Sequence, residues 1–335
     1  MMPEYLNNTQ MSHPADRLYA GKWGVFTHYL YGIQNAPGNT ANMGAGETDW
    51  NSCVNSLDIE AMAYSLSKAR IGYYFITVMQ GRKYMIAPNS TFDRITGNSP
   101  GEACSFRDVV EELYAALSKY GIDLYLYFTG DGPCRDYSEA RRFGFVLPES
   151  GHAQIQRDFV LKWASVLAEY SLRYKDKVSG WWIDGCYREY SGYGYDDSLL
   201  KLLYDACKAG NPDSLVAMNN GVFPELRKNY MYEEFTCGEF NDFTYIPKTR
   251  FVDGAQAHIL APLGEPPKGA GYGDVWSKPG IKRTKEYMLE YIMSVNKTGG
   301  VVTIDAMLCR DGSFDEKQIE LLKYIGRNLY RASSL

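Results

Sequence analysis

Histidine is scarce in this chain of 335 residues: there are four, at His13, His28, His152 and His258, each isolated from the others. That spacing excludes a local histidine-based metal motif, although ligands from distant segments could still meet. The seven cysteines (Cys53, Cys104, Cys134, Cys186, Cys207, Cys237 and Cys309) contain no CxxC pair, which argues against a zinc ribbon or a dithiol redox motif. They read as small buried hydrophobes in a reducing compartment. There is no excess of positive charge, the formal net charge being -5, so the basic footprint of a nucleic-acid protein is missing. No apolar run reaches the roughly 18 residues of a membrane-spanning helix. The first ten residues are polar and lack the basic start and apolar stretch of a secretory leader. A cytoplasmic protein is the expectation. Also missing are a Gly-rich phosphate loop and a Gly-x-Ser-x-Gly elbow.

What the chain has in excess is aromatic: 28 Tyr, 14 Phe and 6 Trp. Its apolar segments alternate with amphipathic ones from end to end. Strands are expected at 23–30, 72–79, 122–129, 180–184, 214–219, 231–236, 256–260 and 300–305, and helices at 58–70, 106–120, 152–174, 197–208, 282–297 and 315–330. Eight strand candidates, most followed by a helix, fit an α/β fold of the (β/α)8 barrel type, irregular in its second half. A doubly wound sheet is the competitor, but its first strand usually opens a Gly-rich loop, and here it ends in His28-Tyr29. One domain over 1–335 is expected, with 264–273 as a long loop at the active end.

In such a barrel the site lies at the C-terminal ends of the strands. The polar residues expected there are His28, Tyr29, Gln80, Asp131, Asp184, Asn219, Asn220, Glu239 and Asp305. The strongest local signal is Gly180-Trp181-Trp182-Ile183-Asp184-Gly185. Asp184 either caps the turn that follows or stands as a carboxylate at the barrel mouth. A second acid could come from Glu233, Glu234 or Glu239, and Glu239, following Gly238, is best placed to turn inward. Two carboxyls about 5–5.5 Å apart would suit retaining glycoside hydrolysis, whereas about 6.5–9.5 Å would suit inversion.

These residues fall into a known order. Trp23-Gly24-Val25-Phe26-Thr27-His28-Tyr29 resembles the Phe-Gly-Ile-Phe-x-His-Trp-Gly start of glycoside hydrolase family 29, the α-L-fucosidases. The stretch 58–77, then Arg107-Asp108-Val109-Val110-Glu111-Glu112-Leu113 through Gly121 and Tyr127, resemble the next two units. Trp182-Ile183-Asp184-Gly185 coincides with the family's nucleophile strand, and Gly299-Gly300 leading to Asp311-Gly312 with its last unit. The resemblance runs from about Trp23 to Tyr330.

It implies that Asp184 is a catalytic nucleophile, that Glu239 (or Glu234) is the acid/base, and that His28 binds a sugar hydroxyl, a satisfied core histidine being the plainer reading. The implied activity is retaining exo-hydrolysis of a terminal α-linked sugar, L-fucose or a relative, without a metal or other cofactor. Tyr29, Trp50, Tyr127, Trp182 and Trp276 are candidates to stack on sugar faces, each with a core alternative. Gln80 and Asn219 are candidates to donate to hydroxyls. The expected partner is a carbohydrate, with no nucleic acid and no membrane, and self-association is left open. Departures from the family are specific. Its Lys-His-His-Asp-Gly-Phe after strand 2 is replaced by Met79-Gln80-Gly81-Arg82-Lys83-Tyr84, Tyr29 replaces a Trp, and Thr303-Ile304-Asp305 replaces Leu-Leu-Asn. The family's C-terminal β-sandwich is not expected. Two alternatives stand beside the hydrolase: a non-catalytic sugar-binding relative, and a sugar lyase or isomerase using a metal or a Schiff-base lysine, for which Lys83 is the one tempting residue.

Overall fold

The computed structural model describes residues 13–146, 154–188, 193–266 and 275–332, the side chains of 330–332 excepted. The beginning of the expected helix at 152 and most of the expected loop 264–273 therefore lie outside the described residues.

Seven parallel strands form one curled sheet: β1 (Trp23–Thr27), β2 (Tyr73–Thr77), β3 (Asp123–Thr129), β4 (Gly180–Asp184), β5 (Leu215–Met218), β8 (His258–Pro262) and β9 (Val301–Asp305). Their order is β5-β4-β3-β2-β1-β9-β8, with β6 (Phe251–Val252) and β7 (Ala255–Gln256) a small antiparallel hairpin apart. The helices on the outside are α1 (Asp16–Gly21), α2 (Tyr31–Gln34), α3 (Trp50–Asn55), α4 (Ile59–Ala69), α5 (Ser90–Thr96), α6 (Val109–Ser118), α7 (Tyr137–Phe143), α8 (Arg157–Tyr174), α9 (Asp197–Lys208), α10 (Lys285–Lys297) and α11 (Glu316–Ala332). The fold is the α/β barrel type that the alternating pattern predicts. Helix starts are set by side chains that satisfy free backbone donors: Asp58 accepts from the Ala61 N–H, Asp108 from Glu111, Asp196 from Leu199 and Thr284 from Tyr287.

Strand alternation sorts the core into two shells. On β3, Leu124, Leu126 and Phe128 face the helices, while Tyr125 and Tyr127 face inward. The barrel interior is filled with rings: Phe26, Tyr73, Phe75, Tyr125, Tyr127, Trp182 and Phe235. Much of the aromatic excess is this packing.

The expected strand 231–236 does not form. The stretch from Glu233 to Phe240 nevertheless lies between β5 and β8, with parallel bridges of Phe235 to Gln256 and Glu239 to Leu260. On the β8 side its backbone bonds are regular: the Leu260 N–H donates to the Gly238 carbonyl at 2.8 Å, and the Phe240 N–H to that of Leu260 at 2.9 Å. On the β5 side only one backbone bond is made, from the Glu234 N–H to the Val216 carbonyl. The other β5 donors find carboxylates instead. Val216 N–H donates to Glu234 Oε2 at 2.9 Å, and Met218 N–H to Glu233 Oε1. Side chains thus do the work of strand carbonyls on that edge, and the period-2 pattern is lost with them.

Gly238 turns this wall toward the mouth. Its φ is +58°, and a Cβ there would lie 1.8 Å from the His258 carbonyl oxygen. Both the left-handed backbone and the missing side chain are required. Gly238→Ala is expected to destabilise the protein by about 3 kcal/mol or more, or to prevent folding. Urea denaturation against the parent chain measures this, and an unchanged midpoint would contradict the close approach.

Candidate functional site

At the C-terminal ends of the strands, a cleft of about 280 Å³ is lined by Phe26, His28, Ile33, Gln80, Tyr127, Arg135, Trp182, Asp184, Glu239, Leu260 and Trp276. That is near the lower end of the size usual for small-ligand sites. Its floor is the uppermost ring layer of the barrel interior. Tyr127 on β3 pairs in register with Trp182 on β4, and their rings stack at 5.3 Å and 16°. Two residues beyond Trp182 on the same face comes Asp184, which ends β4 half-buried.

Asp184 is held from both sides. Tyr127 donates its hydroxyl to Oδ2 at 2.6 Å, and the Asn219 amide donates to Oδ1 at 2.9 Å. The Tyr187 hydroxyl is 3.4 Å from Oδ1. Tyr127 accepts in turn from the Gln80 amide at 2.9 Å, so Gln80 reaches the carboxylate through a phenol.

Asn219, just beyond β5, uses the same amide nitrogen to donate to Glu239 Oε2 at 2.5 Å. Distances of 2.9 and 2.5 Å to one shared nitrogen hold Asp184 Oδ1 and Glu239 Oε2 no more than about 5.4 Å apart. The facing oxygens of the two carboxyls are thus close neighbours across one amide group. Burial first, and the nearby Asp184 second, push the Glu239 carboxyl up, to about 7, against the lowering effect of the Asn219 hydrogen bond. A third acid, Asp131 at the end of β3, is raised to about 6 by burial and by Asp184. It accepts from the Tyr193 hydroxyl at 3.2 Å and the Cys134 thiol at 3.3 Å.

The opposite wall is built on His28 and Asp305. His28 Nδ1 lies 2.9 Å from Asp305 Oδ1, and the Ser277 N–H donates to Asp305 Oδ2 at 2.8 Å. One buried carboxylate therefore orients both the histidine and the segment that carries Trp276, whose ring meets His28 edge-on at 6.1 Å.

Of the residues singled out in the sequence, the structure brings together His28, Gln80, Tyr127, Trp182, Asp184, Glu239 and Trp276 around the cleft, with Asn219 behind the two acids. Tyr29 and Trp50 do not line it. Tyr29 is 0% exposed, and its hydroxyl donates to the carbonyls of Cys53 and Arg310. Trp50 is 2% exposed and donates its indole N–H to the Met85 carbonyl at 2.7 Å. Both pack against each other in the outer core. Asn219, expected to serve sugar hydroxyls, has its amide N–H groups directed to the acids.

Glu234 is tied up at the β5 edge, accepting from Lys208 at 2.6 Å and Tyr204 at 2.7 Å, and is not among the cleft-lining residues. Lys83 is paired with Glu139 at 3.0 Å and also stands outside the lining. Arg135 went unnoticed in the sequence, since nothing about a lone arginine after a Gly-Pro turn announces a site. Among the described residues, no group of three or more His, Cys, Asp or Glu side chains is arranged to hold a metal, and no helix is long and apolar enough to cross a membrane.

No protein-family profile matches the sequence, and no curated protein does. Solved structures with a similar fold exist. The endo-fucoidan hydrolase MfFcnA4 of glycoside hydrolase family 107 superposes with a TM-score of 0.68 at 16% identity, over 96% of this chain and 55% of that one. This chain therefore spans about half of that protein's length. A second endo-fucoidan hydrolase of family 107, P5AFcnA, gives 0.68 at 14% identity, over 96% of this chain and 95% of that one. A family 29 α-L-fucosidase from Bacteroides thetaiotaomicron gives 0.63 at 16%, over 97% of this chain and 75% of that one. At such identities the likeness is one of fold: a barrel-type α/β architecture that two families of glycoside hydrolase also use.

The geometry makes the Glu239 proton sensitive to its neighbour's charge. In Asp184→Asn, the Glu239 pKa is expected to fall from about 7 toward the ordinary carboxyl range, because one of the two causes that raise it is removed. Carbon-13 NMR titration of glutamate-labelled protein, with Glu239→Gln for assignment, follows this directly. An unmoved midpoint would show that the two carboxyls do not feel each other.

Proposed function

We propose that the chain is a retaining glycoside hydrolase that releases a terminal α-linked sugar, L-fucose or a close relative. The observation that supports this reading is the amide nitrogen of Asn219, which touches both Asp184 and Glu239 and keeps their facing oxygens close, as the two acids of a double displacement need to be. The fold likeness adds support. One structurally similar family 29 α-L-fucosidase has been trapped as a covalent intermediate with 2-fluoro-fucosyl fluoride, and it superposes at a TM-score of 0.63 and 16% identity.

The two acids take different parts because their surroundings differ. Asp184 accepts hydrogen bonds from Tyr127 and Asn219, which hold its carboxyl group in place at the end of β4. It attacks the anomeric carbon as the nucleophile. Glu239, raised to about 7, keeps its proton near neutrality and gives it to the departing glycosidic oxygen as the C–O bond breaks. In the second step the Glu239 carboxylate takes a proton from water, the water oxygen bonds to the anomeric carbon, and Asp184 is released. His28, Gln80 and Trp276 face the sugar, with stacking on the Trp276 ring and hydrogen bonding through the histidine. The endo-fucoidan hydrolases of similar fold make cleavage of internal bonds the second reading, and the two are separated by product size. A terminal-acting enzyme yields monosaccharide from an oligosaccharide, and an internal one yields fragments.

Asp184→Asn is expected to lose about 10³-fold or more in kcat on nitrophenyl α-L-fucoside. Treatment of the parent chain with 2-fluoro-fucosyl fluoride should leave a mass increment on the peptide carrying Asp184. The pH profile follows from the raised Glu239: the required acid is protonated below about 7 and lost above it, so kcat should fall as pH rises through that value. Full activity of Asp184→Asn, or no hydrolysis of any aryl glycoside by the parent, would end this reading.

A further inference from the structure

A second cavity, of about 580 Å³, lies at the N-terminal ends of β3, β4 and β5, on the face of the barrel opposite the cleft. Its volume is within the usual range of small-ligand sites. Tyr125, an inward residue of β3, forms part of its wall. Tyr125, Gly180 and Leu215 share one register row across the three strands. A Cβ at position 180 would stand 2.6 Å from Tyr125 Cε1, so the bare glycine gives the tyrosine ring its room. The ring itself is packed, stacked on Phe75 at 4.7 Å.

The hydroxyl of that ring is buried and has no hydrogen-bond partner among the described residues. Its neighbours are satisfied. Of the four tyrosines on β2 and β3, Tyr73 donates to the Val302 carbonyl at 3.0 Å, Tyr74 meets Thr27 Oγ1, and Tyr127 donates to Asp184. Folded proteins rarely leave a buried hydroxyl without a partner, and Tyr125 is the exception here. Burial first, then the charge of Asp123, raise its pKa, while Arg17 opposes them. The hydroxyl therefore lies within the field of Arg17, which also lines the cavity.

The rest of the lining offers mixed donors and acceptors. Ser179, just before β4, is half-buried. Asn211 Oδ1 accepts the Asp213 N–H at 3.0 Å, which sets an amide beside an exposed carboxylate, and Asp176 adds another. The one arginine, Arg17, is committed to Asp123, with Nε 2.6 Å from Oδ2. Two carboxylates against one neutralised guanidinium disfavour an anionic ligand. The deep end presents a phenol and the apolar Leu215 rather than a charge, which disfavours a buried cation. Hydroxyl, amide and carboxylate groups beside apolar surface complement a sugar, whose hydroxyls both donate and accept and whose C–H face is apolar.

We propose that this cavity is a second, non-catalytic binding site for a neutral monosaccharide, and that the Tyr125 hydroxyl hydrogen-bonds one of its ring hydroxyls. The assignment rests on the cavity alone and does not depend on the hydrolase reading of the cleft.

The test is calorimetric titration with L-fucose, D-galactose, D-glucose and L-arabinose, with D-galactosamine and D-galacturonic acid as charged counterparts. It is run on the parent chain, on Tyr125→Phe, on Asp213→Ala, and on the cleft variant Trp276→Ala. At least one neutral sugar is expected to bind in an event that Trp276→Ala leaves unchanged. Tyr125→Phe and Asp213→Ala should each weaken that event by about 3- to 10-fold. Hydrogen exchange in the presence of the sugar should slow at 176–180 and 211–215. Tyr125→Phe removes one unpartnered oxygen and keeps the ring, so the urea midpoint of the sugar-free protein should stay the same or rise. This separates lost binding from lost folding, and a lower midpoint would assign the hydroxyl to the fold and overturn the proposal. Absence of binding by all four neutral sugars overturns it as well. So does a preference for the amine or the acid over D-galactose, or neutral-sugar binding that Trp276→Ala abolishes and Tyr125→Phe leaves intact.

Discussion

A sheet curled on itself encloses a space that must be filled to crystal-like density, and this chain fills it with rings. Tyr73, Phe75, Tyr125 and Phe235 occupy the lower interior, and Phe26, Tyr127 and Trp182 close it above. The rest of the site follows from where that filling stops. Strand parity places the next inward residue after Trp182 at Asp184. The Tyr127 ring is buried, but its hydroxyl still needs an acceptor, and the carboxylate two steps above the ring layer supplies it. The topmost core ring is thus also the innermost group of the site, so packing and chemistry share one residue.

Two carboxyls held this close cannot both be comfortably ionised away from water. The structure distributes donors unequally between them. Asp184 takes hydrogen bonds from Tyr127 and Asn219 and stands within reach of Tyr187, whereas Glu239 receives one side-chain hydrogen bond, from Asn219. Burial and the neighbouring Asp184 raise Glu239, and its one hydrogen bond from Asn219 only partly offsets them. Asp131, raised by burial and by Asp184, is a third acid at the same strand ends. Glu239 keeps its proton because of where it is buried and what stands beside it.

The strands were legible in sequence wherever both faces are buried, because continuous apolar runs such as 73–77 and 124–128 leave no other reading. Edges moved by a residue or a few. The wall at Glu233–Phe240 was not legible as it stands, since its bonds to β5 run through the carboxylates of Glu233 and Glu234, which follow no strand period. The short helices α3, α5 and α7 were also missed, being too brief for a clear amphipathic pattern. Within the site, Asp184 stood out because a strand ended on it, and Glu239 because a glycine preceded it. Tyr29 and Trp50 could not be told from core aromatics by sequence, and their polar atoms are spent on backbone carbonyls. That Asn219 serves two acids at once is a fact of three-dimensional convergence, invisible in any local pattern.

The wall that carries Glu239 differs in kind from the strand that carries Asp184. β4 is locked between two neighbours by regular ladders, whereas the wall hangs from β8 on one side and from two carboxylates and a single backbone bond on the other. Asp184 belongs to the frame and Glu239 to a graft. Lengthening or shortening the connections around that graft would move one carboxyl relative to the other while leaving the seven-strand ladder untouched. In a barrel built this way, the gap between the two carboxyls is a property of one irregular segment, separable from the fold that presents it.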